Sequence, residues 1–184
     1  MVAEYNGRAG AWLIATTELA RVGKDLDLAQ YDTFAQHFDT LNSEHRLFFS
    51  GQGRSGLAAQ MVAMRFMHMG LPAHFVGEAT APSVRDGDTL VLVSGSGKTP
   101  VSLNFAEVAK SEGAKVLLVT HQDSSPLREV ADAALVLPVA GSTQFGGTLF
   151  EESALIVLDS IVLDQMHRRG VPAETMAYNH TNFL

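Results

Sequence analysis

Cysteine is absent from this chain, so it can build neither a disulfide framework nor a thiolate metal site, and it has no cysteine nucleophile. That absence suits a reducing compartment and sets the expectation of a cytoplasmic protein. Long apolar runs are missing too, since no segment approaches the roughly 18 uninterrupted apolar residues of a membrane span. The first ten residues carry Glu4, Asn6 and Arg8 where a secretory signal would be apolar, so neither export nor a membrane partner is expected. Basic residues are in deficit, 13 against 20 acidic, which argues against a nucleic-acid partner because phosphate backbones attract basic surfaces. An acidic protein that binds an anion must use local dipoles and a few cations, which directs attention to helix N-termini and glycine-rich turns. None of the seven histidines falls in an i,i+4 pair or a HExxH motif, so a metal site is not expected.

What is present fits one globular unit. No repeat or Ser/Gly-rich linker divides the chain, and a single domain over residues 1–184 is expected. It would comprise amino-terminal helices in 1–44, a sheet core with two glycine-rich loops in 45–140, and a long helix with a tail in 145–184. Helical periodicity runs from Ala9 to Val22, with Trp12, Ala15, Leu19 and Val22 on one stripe, and from Leu28 to Leu41 through Tyr31, Phe34 and Phe38. Short apolar runs then appear at Arg46–Ser50, Ala73–Val76, Thr89–Val93, Lys115–Thr120 and Ala133–Leu137. Between and after them lie helical segments at Ser55–Met69, Thr99–Glu112 and Gly147–Arg169, the last closed by Gly170 with Pro172 beyond. The alternation predicts a three-layer α/β sandwich, a five-stranded parallel sheet flanked by helices. A ligand would then sit outside the carboxyl ends of the strands.

Two loops stand at that edge. Gly51-Gln-Gly-Arg-Ser-Gly56 links a strand to a helix, yet lacks the acidic residue that completes a dinucleotide fingerprint. A tight strand-to-helix turn explains it equally well. Ser94-Gly-Ser-Gly-Lys-Thr99 carries more information. Glycines let backbone amides curl round an anion, Ser94, Ser96 and Thr99 add hydroxyl donors, and the helix that follows adds its dipole. The glycine spacing is too short for a Walker loop, and no acidic strand end would hold magnesium. Lys98 either touches the anion or is a solvated first-turn residue. Together the loops imply a small phosphorylated ligand held by Ser55, Ser94, Gly95, Ser96, Gly97, Lys98 and Thr99.

These residues carry a resemblance. Gly53-Arg-Ser-Gly56 and Ser94-Gly-Ser-Gly97 look like the paired signatures of SIS (sugar isomerase) domains. Met64–Gly70, Val76-Gly-Glu78, Gly147–Ile156 with Leu158-Asp159, and the tail His180-Thr-Asn-Phe-Leu184 extend the similarity to the 6-phospho-3-hexuloisomerases over nearly the whole chain. The chain departs from them at Lys98, where glutamate or arginine is frequent, at Asn179, usually arginine, and in an insertion-like Ala140–Gly146 loop. The resemblance implies an isomerisation between a 3-ketohexose 6-phosphate and fructose 6-phosphate that uses no metal, redox cofactor or other cofactor. It also implies dimers or tetramers with shared sites, and a place in formaldehyde fixation by the ribulose monophosphate pathway.

Moving a carbonyl to the adjacent carbon needs a base for the carbon-bound proton and a partner for the hydroxyl proton. Glu151 has Leu155, Leu158 and Val162 at i+4, i+7 and i+11, so its carboxylate is predicted on an inward apolar stripe. Burial there would raise its pKa while the helix N-terminus opposes the shift. Position alone also allows an acidic first-turn residue favoured by the dipole, as Glu152 would be; the resemblance implies that Glu151 is the proton acceptor. His68, at a helix end, is either a satisfied buried histidine or, as the resemblance implies, an active-site group. His180 is implied by the tail motif and would complete a neighbouring subunit's site, unless the tail is an ordinary loose terminus. The apolar run Ala154–Leu163 points to a second copy as cover for the last helix. Two other readings stay open: a non-catalytic sugar-phosphate sensor, and an isomerase of another phosphosugar such as arabinose 5-phosphate.

Overall fold

A computed structural model describes residues 5–183. Met1 to Glu4 of the amino-terminal segment, and Leu184 of the tail motif, lie outside the described residues. In chain order the elements are α1 (Gly7–Asp25), α2 (Leu28–Ala35) with a 3-10 turn at Gln36–Phe38, β1 (Leu47–Gly51), α3 (Arg54–His68), β2 (Ala73–Phe75) and β3 (Thr89–Val93). There follow α4 (Pro100–Ser111), β4 (Lys115–Thr120), α5 (Pro126–Val130), β5 (Ala133–Val136), α6 (Thr148–Arg169) and α7 (Ala173–Asn179).

The five strands form one parallel sheet in the order β2-β1-β3-β4-β5. Successive side chains point to opposite faces, and both faces are covered, which is why β1, β3 and β4 read as unbroken apolar runs. Phe49, Val91, Val93, Leu117, Val119 and Leu135 pack with α2, α3 and α6. Phe48, Leu90, Leu92, Val116 and Leu118 face α4 and α5. The helix after β1 therefore covers one face and the helix after its neighbour β3 the other. Adjacent strands whose crossovers diverge leave a crevice at their carboxyl ends, and both glycine-rich loops open into it.

The end of β1 and the start of α3 meet without side chains between them. A Cβ on Gly51 would stand 2.8 Å from Gly56 N, and one on Gly56 would stand 2.6 Å from Gly51 O. The first glycine loop is thus a close backbone turn as well as a candidate ligand loop.

Three features differ from the sequence reading. Trp12, which helical spacing places on one stripe with Val22, is 70% exposed, while Val22 is buried. The second helix changes to a 3-10 turn before Phe38. The short helices α5 and α7 had no counterpart in it; Ser125 caps α5 by accepting from Arg128 N at 3.2 Å. Among the described residues, no helix is long and apolar enough to cross a membrane.

Candidate functional site

The crevice is built from three helix starts. After β3, Ser94 and Gly97 are buried, Gly95 and Thr99 half-buried, and Ser96 and Lys98 exposed. This loop is braced from behind: Thr120 Oγ1 donates to Gly95 O at 2.9 Å, and Leu127 N to Gly97 O at 3.1 Å. Those carbonyls are thereby held against β4 and α5. Thr99 is the N-cap of α4, yet its hydroxyl makes no capping bond. The first amides of α4 have no intrahelical partner, as at any helix start, and they supply the donors and partial positive charge an anion needs. Among the described residues, the buried Oγ atoms of Ser94 and of Ser102, in the first turn of α4, have no protein partner. Ser55 lies buried in the first turn of α3.

Glu151 lies in the first turn of α6, with Leu158 and Val162 of its stripe buried and Leu155 half-buried. Its surroundings are not purely apolar as expected, because Arg54 Nε donates to Glu151 Oε2 at 2.5 Å. The carboxylate side chain is 17% exposed and the guanidinium 60%. The two residues are 97 positions apart in sequence and open two neighbouring helices, so an anion at these helix starts would find Arg54 beside the candidate base. Sequence reasoning quoted Arg54 only as part of a motif; a cation inside a glycine-rich turn was the available signal. Glu152, by contrast, turns toward the Ala140–Gly146 loop, where Gln144 Nε2 donates to Glu152 Oε2 at 3.4 Å.

His121, to which sequence reasoning gave no role, also stands here. It follows β4 at the carboxyl edge, and its ring meets Phe150 edge-on with centroids 5.6 Å apart. A Cβ on Gly95 would lie 3.1 Å from His121 Cδ2 and 3.4 Å from Nε2, so this ring edge lies over the second loop. Gln122 Nε2 is 2.9 Å from His121 Nδ1; an amide donor there leaves Nε2 to carry the proton. The sequence signal was its place directly after a parallel strand. His121 also borders a cleft of about 700 Å³ that continues between Arg21, Asp25, Gln30 and Val139.

The structure does not bring His68 or His180 to Glu151 within one chain. Arg54 and His68 are the two ends of α3, and at 1.5 Å per residue its length separates them by about 21 Å. His68 is buried there, and its ring centroid is 5.0 Å from that of His180, the C-cap residue of α7. Burial, then the neighbouring His180 and Arg65, hold the His68 imidazole below its usual pKa. Asn179 donates to His68 O at 2.9 Å, docking α7 onto the end of α3. No group of three or more His, Asp or Glu side chains among the described residues could hold a metal ion.

Comparison with known proteins agrees with this architecture. The SIS domain family matches residues 40–163. A 3-hexulose-6-phosphate isomerase from Mycobacterium gastri is 38% identical over 145 residues, covering 74% of this chain and 73% of that one. The enzyme of the same name from Bacillus subtilis is 37% identical over 153 residues, covering 78% and 83%. A crystal structure from Methanococcus jannaschii, for which a 3-hexulose-6-phosphate isomerase function was inferred, superposes with a TM-score of 0.83. It is 31% identical, with 95% of this chain and 99% of that one covered. The chain belongs to the SIS-domain family, among its 3-hexulose-6-phosphate isomerases.

Proposed function

We propose that this protein interconverts D-arabino-hex-3-ulose 6-phosphate and fructose 6-phosphate through a 2,3-enediol. Glu151 removes the proton from C2 of the 3-ketose and returns it to C3, while a hydroxyl proton passes from O2 to O3, so no electron leaves the sugar and no redox partner is needed. The observation that carries this reading is the Arg54–Glu151 pair, a carboxylate and a cation at two helix starts beside a hydroxyl-rich loop. The phosphate is held by the loop from Ser94 to Thr99 with Ser55. As it draws Arg54 away, the Glu151 oxygens become free to accept a proton. Named relatives at 36–38% identity support the choice of sugar. The activity suits a cytoplasmic role in formaldehyde fixation by the ribulose monophosphate route.

For the hydroxyl proton, His121 of the same chain is the nearest candidate. His68 and His180 would serve a neighbouring copy's site in a dimer or tetramer. The faces available for such a contact are apolar: Leu57, Met61 and Met64 on α3 and Ile156 and Leu163 on α6 are between 47% and 61% exposed.

The test is turnover of purified protein with hex-3-ulose 6-phosphate, arabinose 5-phosphate and sedoheptulose 7-phosphate. The first alone should be converted efficiently, yielding fructose 6-phosphate. Faster conversion of another sugar overturns the substrate, and binding without turnover would make the protein a sensor.

A further inference from the structure

Glu18, in the middle of α1, is 6% exposed and is not part of the chemistry above. Burying a carboxylate is costly unless donors replace its water, and here they all come from one short stretch far along the chain. Ser142 Oγ donates to Oε2 at 2.7 Å, Thr143 N and Oγ1 each donate to Oε1 at 2.8 Å, and Gln144 Nε2 donates to Oε2 at 3.2 Å. Burial alone would raise the pKa of Glu18, but the four hydrogen bonds outweigh it and hold the group down to about 2. It is therefore charged at any ordinary pH. The stretch it grips lies in the insertion-like Ala140–Gly146 loop and leads directly into α6.

We propose that Glu18 is a positioning residue: through Ser142–Gln144 it fixes the first turn of α6, and with it the candidate base Glu151. Two further observations support the assignment. Gly147, the N-cap of α6, supplies no side-chain capping bond, so that turn is not secured by its own cap. Gln144 Nε2 reaches Glu152 Oε2 as well as Glu18 Oε2, so one amide group ties α1 to α6 at the residue next to Glu151. The loop turns at Gly141 and Gly146, both at positive φ (63° and 60°), and the Glu18 carboxylate sits against the residues between those two turns. Arg21, one turn beyond Glu18 on α1, donates to Ala140 O at the start of the loop.

The inference rests on the reading of Glu151 as the base, and its test has one arm that needs no substrate. In Glu18→Gln a single carbonyl oxygen faces donors that had two oxygens. Amide hydrogen exchange over Leu149–Ser153 should then quicken. A misplacement near 1 Å costs catalysis on the order of 10²-fold, so kcat should fall by about 10- to 100-fold. The KM and the inhibition by inorganic phosphate report the Ser94–Thr99 loop, which is braced by Thr120 and Leu127 and not by Glu18, and they should stay within about twofold of wild type. Should Glu18→Gln fail to fold, Ser142→Ala with Thr143→Val removes two of the four donors from the loop side, and the same pattern is expected at smaller size. Unchanged exchange over Leu149–Ser153 overturns the proposal, as does unchanged kcat. A rise in KM and in the phosphate inhibition constant that matches the loss in kcat would reduce Glu18 to a general stabilising contact. A wrong enzymatic reading shows itself separately, as wild-type protein without isomerase turnover.

Discussion

Replacing Glu151 by glutamine tests the mechanism most directly. The amide keeps the side chain's volume and one oxygen to accept from Arg54 Nε, but it cannot take a proton. Two energies must be compared. With the guanidinium 60% exposed and the carboxylate 17%, the ion pair is close to the solvent-exposed case, worth about 0.2–1 kcal/mol. Set against a typical folding stability of roughly 5–15 kcal/mol, that loss leaves the protein folded. A positioned general base contributes about 10²–10⁴-fold, which is roughly 2.7–5.5 kcal/mol of barrier. The catalytic effect should therefore exceed the structural one several-fold, and kcat should collapse with little change in melting temperature or in KM. Wild-type turnover of the 3-ketose in deuterated water should place deuterium on C3 of fructose 6-phosphate, and this labelling should vanish with turnover. Glu152→Gln is the control: the next helical position lies about 100° round the axis, and its contact is a 3.4 Å hydrogen bond from Gln144. Normal isomerisation by Glu151→Gln, or an equal loss in Glu152→Gln, would refute the reasoning.

His121→Ala should lower kcat by about 10²-fold if its Nε2 handles a hydroxyl proton, and free imidazole should restore part of the rate. An unaffected rate would pass that role to His68, tested as His68→Ala. The assembly is checked by sedimentation at micromolar concentration, where wild type should run as a dimer or larger and Met61→Glu with Leu163→Glu should shift toward the monomer. A wild-type monomer of 19.7 kDa with full activity would sink both the interface and any donated histidine.

Much of the sheet was legible because fully covered parallel strands have a simple signature. Thr89–Val93 and Lys115–Thr120 fall where their apolar runs placed them. The α5 and α7 helices, of five and seven residues, complete at most two turns, too few for a 3.6-residue period to stand out. The Ser94–Thr99 loop could be placed at the sheet edge because it directly follows the apolar run of β3 and opens α4. The Arg54–Glu151 pair could not, since its members, 97 positions apart, meet only after α3 and α6 are packed together. Glu18 was hidden for the same reason, its donors lying more than 120 positions away. Trp12 is exposed and Val22 buried on one stripe, because helical spacing reports which residues share a stripe and says nothing about how far along it the cover extends.

The backbone contact of Gly51 with Gly56 has a consequence for how the protein tolerates change. No side chain separates these atoms, so no substitution in the core can pad or thin the joint. When residues under α3 such as Val62 or Phe66 change size, the helix must tilt about the joint as a lever tilts about its fulcrum. Arg54 lies two residues from Gly56 and His68 twelve, which at 1.5 Å per residue is about 3 Å against about 18 Å of lever arm. The same tilt therefore carries His68 roughly six times as far as Arg54. Drift in the core is delivered to the distant end of α3, and Arg54 stays in register with the Glu151 carboxylate.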